Sequence, residues 1–198
     1  MSAHHETYPD QHHDVYSKTL FGFWIYLLTD FVLFGVLFAT YAVLHKSYFN
    51  GPTPSDIFDL NYTLTQTFIL LTSAFTIGLG SNFVHRKNKN KAILLFGITF
   101  LLGLVFFTMQ LNEFSGLLNG GASWTVSAFL SAYFTVTGIF LIHLFFALLW
   151  IIVFICPLFK NKINDTSIKR LTCLKMFWQF LNIVWIFIFS LIYLLGAR

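Results

Sequence analysis

The chain has 198 residues, of which 57% are apolar and only 10% charged, with a formal net charge of +4. Soluble domains carry about 25% charged residues, so this composition excludes a water-soluble globule. The basic residues gather at the ends of apolar runs rather than along a stripe, which excludes a nucleic-acid-binding surface.

Residues 1–19 are polar and include His4, His5, His12 and His13. This stretch has no basic n-region and no small-residue cleavage site. The apolar run after it is too long for a signal peptide, so no cleavage is expected. The tail histidines match no structural zinc spacing. They read as a solvated tail, with chelation of a metal as the alternative.

Five apolar runs follow, at 20–44, 62–84, 92–114, 125–159 and 174–195. A hydrocarbon core about 30 Å thick needs ~20 residues of helix, and every run meets that length. In lipid each backbone N–H and C=O must pair inside its own segment, so the runs are predicted to be helices. The predicted fold class is all-α, a polytopic membrane protein with five transmembrane helices. A polar tail (1–19) precedes a single five-helix bundle (20–198).

The connections are short. Asn50 to Ser55 (Asn-Gly-Pro-Thr-Pro-Ser) reads as a turn, with Asp56 suited to cap a short segment after it. Asn119-Gly120-Gly121 reads as a second turn. Pro157 is expected to end the fourth helix, since proline cannot continue the hydrogen-bond ladder. That run exceeds the length of a span, which predicts tilt or extension into the interface.

Ten of the twelve Lys and Arg residues fall on one side of such a bundle: Lys18, the cluster from Arg86 to Lys91, and the group from Lys160 to Lys175. Lys46 and Arg198 fall on the other. The positive-inside rule then places the N-terminus in the cytoplasm and the C-terminus in the periplasm. Cys156 and Cys173 both lie at cytoplasmic ends, where free thiols are expected.

Polar residues inside the spans are few. Asp30 lies ten residues into the first span, about 15 Å deep. A carboxylate at that depth is either functional or part of helix-packing hydrogen bonds. Tyr26, one turn away, faces the same side. Gln179 and Asn182 share a face of the last span at a similar depth, and these groups could form one inner polar cluster with Asp30. Gln66, Gln110 and Glu113 form a second set at the other end of their helices. Amides donate and accept hydrogen bonds without exchanging protons at neutral pH, so these Gln and Asn residues read as structural. His143 is alone in mid-span, and a bis-histidine haem needs two facing imidazoles. It reads as a neutral histidine bonded to a neighbouring helix. Small residues recur at helical spacing, as in Gly35, Ala39 and Ala42, and such stripes let helices approach closely.

Four segments carry a family resemblance. The run Phe-Gly-Phe-Trp-Ile-Tyr-Leu-Leu-Thr-Asp from Phe21 to Asp30, with the stretch from Leu37 to Val43, resembles the first helix of subunit III of bo-type ubiquinol oxidases. Gly51–Phe58 is similar to the loop that follows in that haem–copper oxidase subunit III family. Ser127–Phe134 resembles the start of its fourth helix, and Phe177–Ile186 with Leu191–Gly196 its last. The resemblance implies a non-catalytic subunit of a respiratory complex in the bacterial inner membrane. Such a complex oxidises ubiquinol, reduces oxygen and pumps protons. It implies haem b, haem o and copper in subunit I, no metal or cofactor on this chain, and subunits I, II and IV as partners. It also implies a role in assembly, stability and binding of membrane phospholipid. Asp30, Glu113 and His143 match family positions. Gln66, Gln110, Phe140, Gln179 and Asn182 stand where the family usually has carboxylates or histidines, which removes titratable chemistry there. The competing readings are an independent small transporter or channel, suggested by Asp30, Gln179 and Asn182, and a small membrane enzyme using His143.

Overall fold

The computed structural model describes residues 11–48, 51–86, 88–160, 165–194 and 196. Its helices are α1 (Gln11–Leu44), α2 (Pro54–Ile57), α3 (Leu60–His85), α4 (Lys89–Asn119), α5 (Ala128–Lys160) and α6 (Asp165–Ile188). The chain continues from α6 into a π-helical turn, Phe189–Leu194. Five of these helices are long and apolar enough to cross a membrane, and no strand occurs among the described residues.

Two boundaries differ from the sequence expectation. Helix α1 begins at Gln11, inside the stretch read as a polar tail. Helix α5 runs through Pro157 to Lys160 rather than ending at the proline. Because the helix stops within a turn of Pro157, the proline leaves only one ladder bond unmade before the natural end. The side chains of Cys156, His12 and His13 lie outside the described side chains, and His4, His5 and Arg198 outside the described residues. Cys173 is a buried free thiol.

The loop between α1 and α3 shows which acid caps what. Asp56 sits within α2. Asp59 is the N-cap of α3, its Oδ1 accepting the backbone N–H groups of Asn61 at 2.9 Å and Tyr62 at 3.4 Å. These are two of the orphan donors that every helix start must satisfy. At the other turn, the N–H of Gly120 bonds Gly116 O, and Gly121 takes φ +80, a conformation that favours glycine.

Helices α3 and α4 form a closely packed hairpin, α5 lies against α1, α4 and α6, and α6 packs on α3 and α5. Trp178, Trp185, Ile188, Ile192 and Tyr193 of α6 and its π turn are each 1% exposed or less. Lipid tails are as apolar as the side chains, so helix association here rests on close packing and interhelical hydrogen bonds. The closest approach is at Gly103 of α4, where a Cβ would lie 2.7 Å from the Trp178 ring and 2.9 Å from Leu148. The stripe singled out from the sequence behaves otherwise. Gly35, Ala39 and Ala42 are exposed, and nothing lies within 4 Å of a Cβ at Gly35. Small size allows an approach without requiring one.

Candidate functional site

The polar interior divides into two groups. One lies near the end of the bundle where α1 and α4 finish and α3 and α5 start. Here Glu113 accepts four hydrogen bonds from three other helical elements and its own. Its Oε1 takes the hydroxyls of Tyr133 and Tyr193, both at 2.9 Å. Its Oε2 takes the amide nitrogens of Gln110 at 3.2 Å and Gln66 at 3.4 Å.

The two oxygens of a carboxyl group offer about four lone-pair sites, and four donors approach them. Each tyrosine has one proton to donate, and the two phenol oxygens lie 3.0 Å apart. The Gln110 amide also reaches the Tyr193 hydroxyl at 3.3 Å. Neutral donors thus surround the carboxyl group, and among the described residues no cation pairs with it. The ring of Phe58, just after α2, covers the cluster with centroids 4.9 Å from Tyr133 and 4.8 Å from Tyr193. Gln66 Oε1 and Gln110 Oε1 are buried acceptors without a protein partner.

The second group is Asp30 with His143. His143 Nε2 lies 3.7 Å from Asp30 Oδ1, beyond hydrogen-bond range, while its Nδ1 is 2.8 Å from Ile139 O. The Nδ1–H is therefore donated within α5, which leaves Nε2 facing the acid. Asp30 Oδ2 is buried without a partner, and Tyr26 is close enough to interact electrostatically. The rings of Phe34 and Phe177 flank the imidazole.

Gln179 and Asn182 do not join Asp30, contrary to expectation. Gln179 reaches across to Ala74 O of α3 at 3.3 Å, and Asn182 bonds Trp178 O of its own helix at 2.9 Å. Each α6 amide thus donates to a backbone carbonyl, Gln179 on α3 and Asn182 within α6. Nor do Gln179 and Asn182 belong with Gln66 and Gln110, which serve Glu113. Sequence reasoning singled out none of Tyr133, Tyr193, Phe58, Trp178 and Trp185. The indoles donate to α3, Trp178 to Ser73 Oγ and Trp185 to Thr67 Oγ1, both at 3.0 Å. The one available signal was a polar-tipped aromatic inside an apolar run, since a buried Tyr or Trp needs a partner.

Neither group pairs a nucleophile with a base. Among the described residues, no three His, Cys, Asp or Glu lie close enough to hold a metal ion. The His143 environment does not suit a haem: Nδ1 is bonded to a carbonyl, Nε2 faces Asp30, and Phe140, one turn away, packs on Phe106 and Trp185. The architecture is that of a tightly packed scaffold with a fixed buried acid at one level and a loose acid–imidazole pair at another.

The family profile for cytochrome c oxidase subunit III matches residues 3–197. The chain belongs to the cytochrome c oxidase subunit III family. It is 45% identical over 188 residues to the cytochrome bo(3) ubiquinol oxidase subunit 3 of Pseudomonas aeruginosa, covering 95% of this chain and 90% of that protein. It is 42% identical over 183 residues to the same-named subunit of Buchnera aphidicola subsp. Baizongia pistaciae, with 92% and 94% covered. The quinol oxidase subunit 3 of Bacillus spizizenii is 36% identical over 177 residues, with 89% and 87% covered. Within the subunit III family, the two polar groups described above are internal features of one helical unit. The match gives no support to an independent transporter or channel.

Proposed function

We propose that this chain is the accessory subunit III of a quinol-oxidising haem–copper oxidase in a bacterial inner membrane. Quinol oxidation, oxygen reduction and proton pumping then belong to the complex, with haem b, haem o and copper on subunit I. This chain's part is to support assembly with subunits I, II and IV, to keep the complex stable and to bind lipid. The ten-to-two asymmetry of basic residues supports a cytoplasmic N-terminus and a periplasmic C-terminus.

The observation that carries the proposal is the 45% identity to a bo(3) oxidase subunit 3 across 95% of the chain. The site geometry accords with it: polar groups tie helices together, and the mid-span imidazole of His143 has Nδ1 bonded within its own helix and Nε2 3.7 Å from Asp30. The test is isolation of the tagged full chain in mild detergent from its own membranes. A much larger haem-bearing chain should accompany it. Isolation of this chain alone, or solute flux in liposomes that contain nothing else, would overturn the proposal.

A further inference from the structure

We infer that the Glu113 cluster is a proton-binding site: Glu113 holds a proton on Oε1 and closes a ring of three hydrogen bonds with Tyr133 and Tyr193. The site is separate from Asp30 and lies towards the other end of the bundle.

Three oxygens make the ring. Glu113 Oε1 lies 2.9 Å from the hydroxyl of Tyr133 and 2.9 Å from that of Tyr193, and the two phenol oxygens lie 3.0 Å apart. All three separations are hydrogen-bond lengths, and each such bond holds one proton. Three contacts therefore need three protons. A phenol carries one proton and an ionised carboxylate none. With Glu113 as an anion, both phenol protons go to Oε1, and the 3.0 Å contact sets two lone pairs against each other. A proton on Oε1 completes the count: Glu113 donates to Tyr133, Tyr133 to Tyr193, and Tyr193 to Glu113. The distance between two oxygens is the same whichever of them holds the proton, so the 2.9 Å contact with Tyr133 serves a carboxyl donor as well as a phenol donor.

The other carboxyl oxygen fits the same state. In a neutral carboxyl the unprotonated oxygen is a carbonyl, which accepts two hydrogen bonds. Oε2 takes two, from the amide nitrogens of Gln110 at 3.2 Å and Gln66 at 3.4 Å. The Gln110 amide also reaches the hydroxyls of Tyr193 at 3.3 Å and Tyr133 at 3.5 Å. It offers the phenols an N–H but no proton for the bond between them.

The surroundings favour neutrality. Tyr133, Tyr193, Gln66 and Gln110 are each 0% exposed. The titratable neighbours on other elements are Tyr133, Tyr193 and Tyr62 of α3, and Tyr62 gives its hydroxyl proton to Met109 O at 2.9 Å. None of them supplies positive charge. A buried acid without a cation is relieved of its solvation cost by taking up a proton. Asp30 differs, since His143 Nε2 stands 3.7 Å from it.

The chain has two glutamates, Glu6 and Glu113, so Glu6→Gln leaves one. The test is infrared spectroscopy of that full chain in mild detergent at neutral pH, grown with glutamate carrying carbon-13 in its side-chain carboxyl. An isotope-shifted carbonyl band of a protonated carboxyl should appear above the amide I band and move down on exchange into D2O. Gln66→Leu takes an N–H from Oε2 and should raise that band. Tyr193→Phe acts on Oε1 and should move it less. A labelled signal found only among the carboxylate stretches would overturn the inference. So would a larger shift from Tyr193→Phe than from Gln66→Leu, since that puts the carbonyl on the ring oxygen. The first measurement alters nothing in the cluster, so it decides the question even where a variant fails to fold.

Discussion

Tyr193 reaches the carboxylate of Glu113 at 2.9 Å from a turn wound as π-helix rather than α-helix. The i→i+5 winding rotates less per residue than an α-helix, and Ile192 and Tyr193 both become fully buried, at 0% exposure. The π turn is thus the segment that carries Tyr193, one of the four donors, to Glu113.

Removing one donor from that shell has a definite expected size. Hydrogen bonds between membrane helices average about 0.6 kcal/mol, while those to charged groups reach about 1.5–3 kcal/mol. Tyr193→Phe should destabilise the purified chain by about 1 kcal/mol, because it removes one of the donors to the buried Glu113 carboxyl group. Tyr133→Phe acts on the same oxygen, so the double variant should depart from additivity. Denaturation midpoints in detergent for the four members of the cycle check this. A change below about 0.3 kcal/mol for Tyr193→Phe would mean that the carboxylate does not depend on this donor.

Gly103→Ala should lower stability by about 1–3 kcal/mol, the usual cost of overpacking. The added methyl meets the Trp178 ring at 2.7 Å and Leu148 at 2.9 Å, from two different helices. Gly97→Ala on the same helix supplies the comparison, since a Cβ there meets nothing within 4 Å. It should leave the melting temperature unchanged or slightly raised, because alanine is the better helix former. Thermal melts of both variants decide the matter, and equal effects would show that backbone propensity rather than packing governs α4.

The spans were legible because length and apolarity alone demand helices in lipid, and the nearness of Gln66, Gln110 and Glu113 followed from their common depth. Depth says nothing about azimuth. Asp30, Gln179 and Asn182 share a level, yet the α6 amides face α3 and their own helix while Asp30 faces His143 on α5. Tyr133 and Tyr193 were hidden because an aromatic ring in an apolar run reads as lining until its hydroxyl finds a partner. Gly103 and Gly35 are alike in sequence context, and the positions of Trp178 and Leu148 separate them. The π turn leaves no trace in the hydrophobic pattern, which continues through it.

Thr67→Val should cost about 1–3 kcal/mol, since it keeps the side-chain shape and removes the acceptor of the buried Trp185 N–H. Thr67→Ser keeps the oxygen and should cost less than half as much. Ser73→Ala orphans the Trp178 N–H in the same way. The unfolding midpoint gives the size. The tryptophan emission spectrum reports whether each indole has lost its partner. Equal stabilities for Thr67→Val and Thr67→Ser would show that the α3–α6 contact rests on packing alone.

Asp30→Asn separates a role in proton handling from a role in holding helices. The substitution conserves volume and replaces the carboxyl group with an amide. Among the described residues, its polar neighbour on another helix is His143, 3.7 Å away, too far for a hydrogen bond that holds α1 to α5. Flanking rings, among them the Phe34–Phe180 edge contact between α1 and α6 at 6.2 Å, supply packing that the substitution leaves intact. The variant chain should therefore remain in the complex on isolation, while oxidase turnover or its persistence over repeated cycles declines. Loss of the chain from the complex would instead make Asp30 a helix-packing residue. Full assembly with unchanged turnover and persistence would remove both roles, leaving the buried acid without a task.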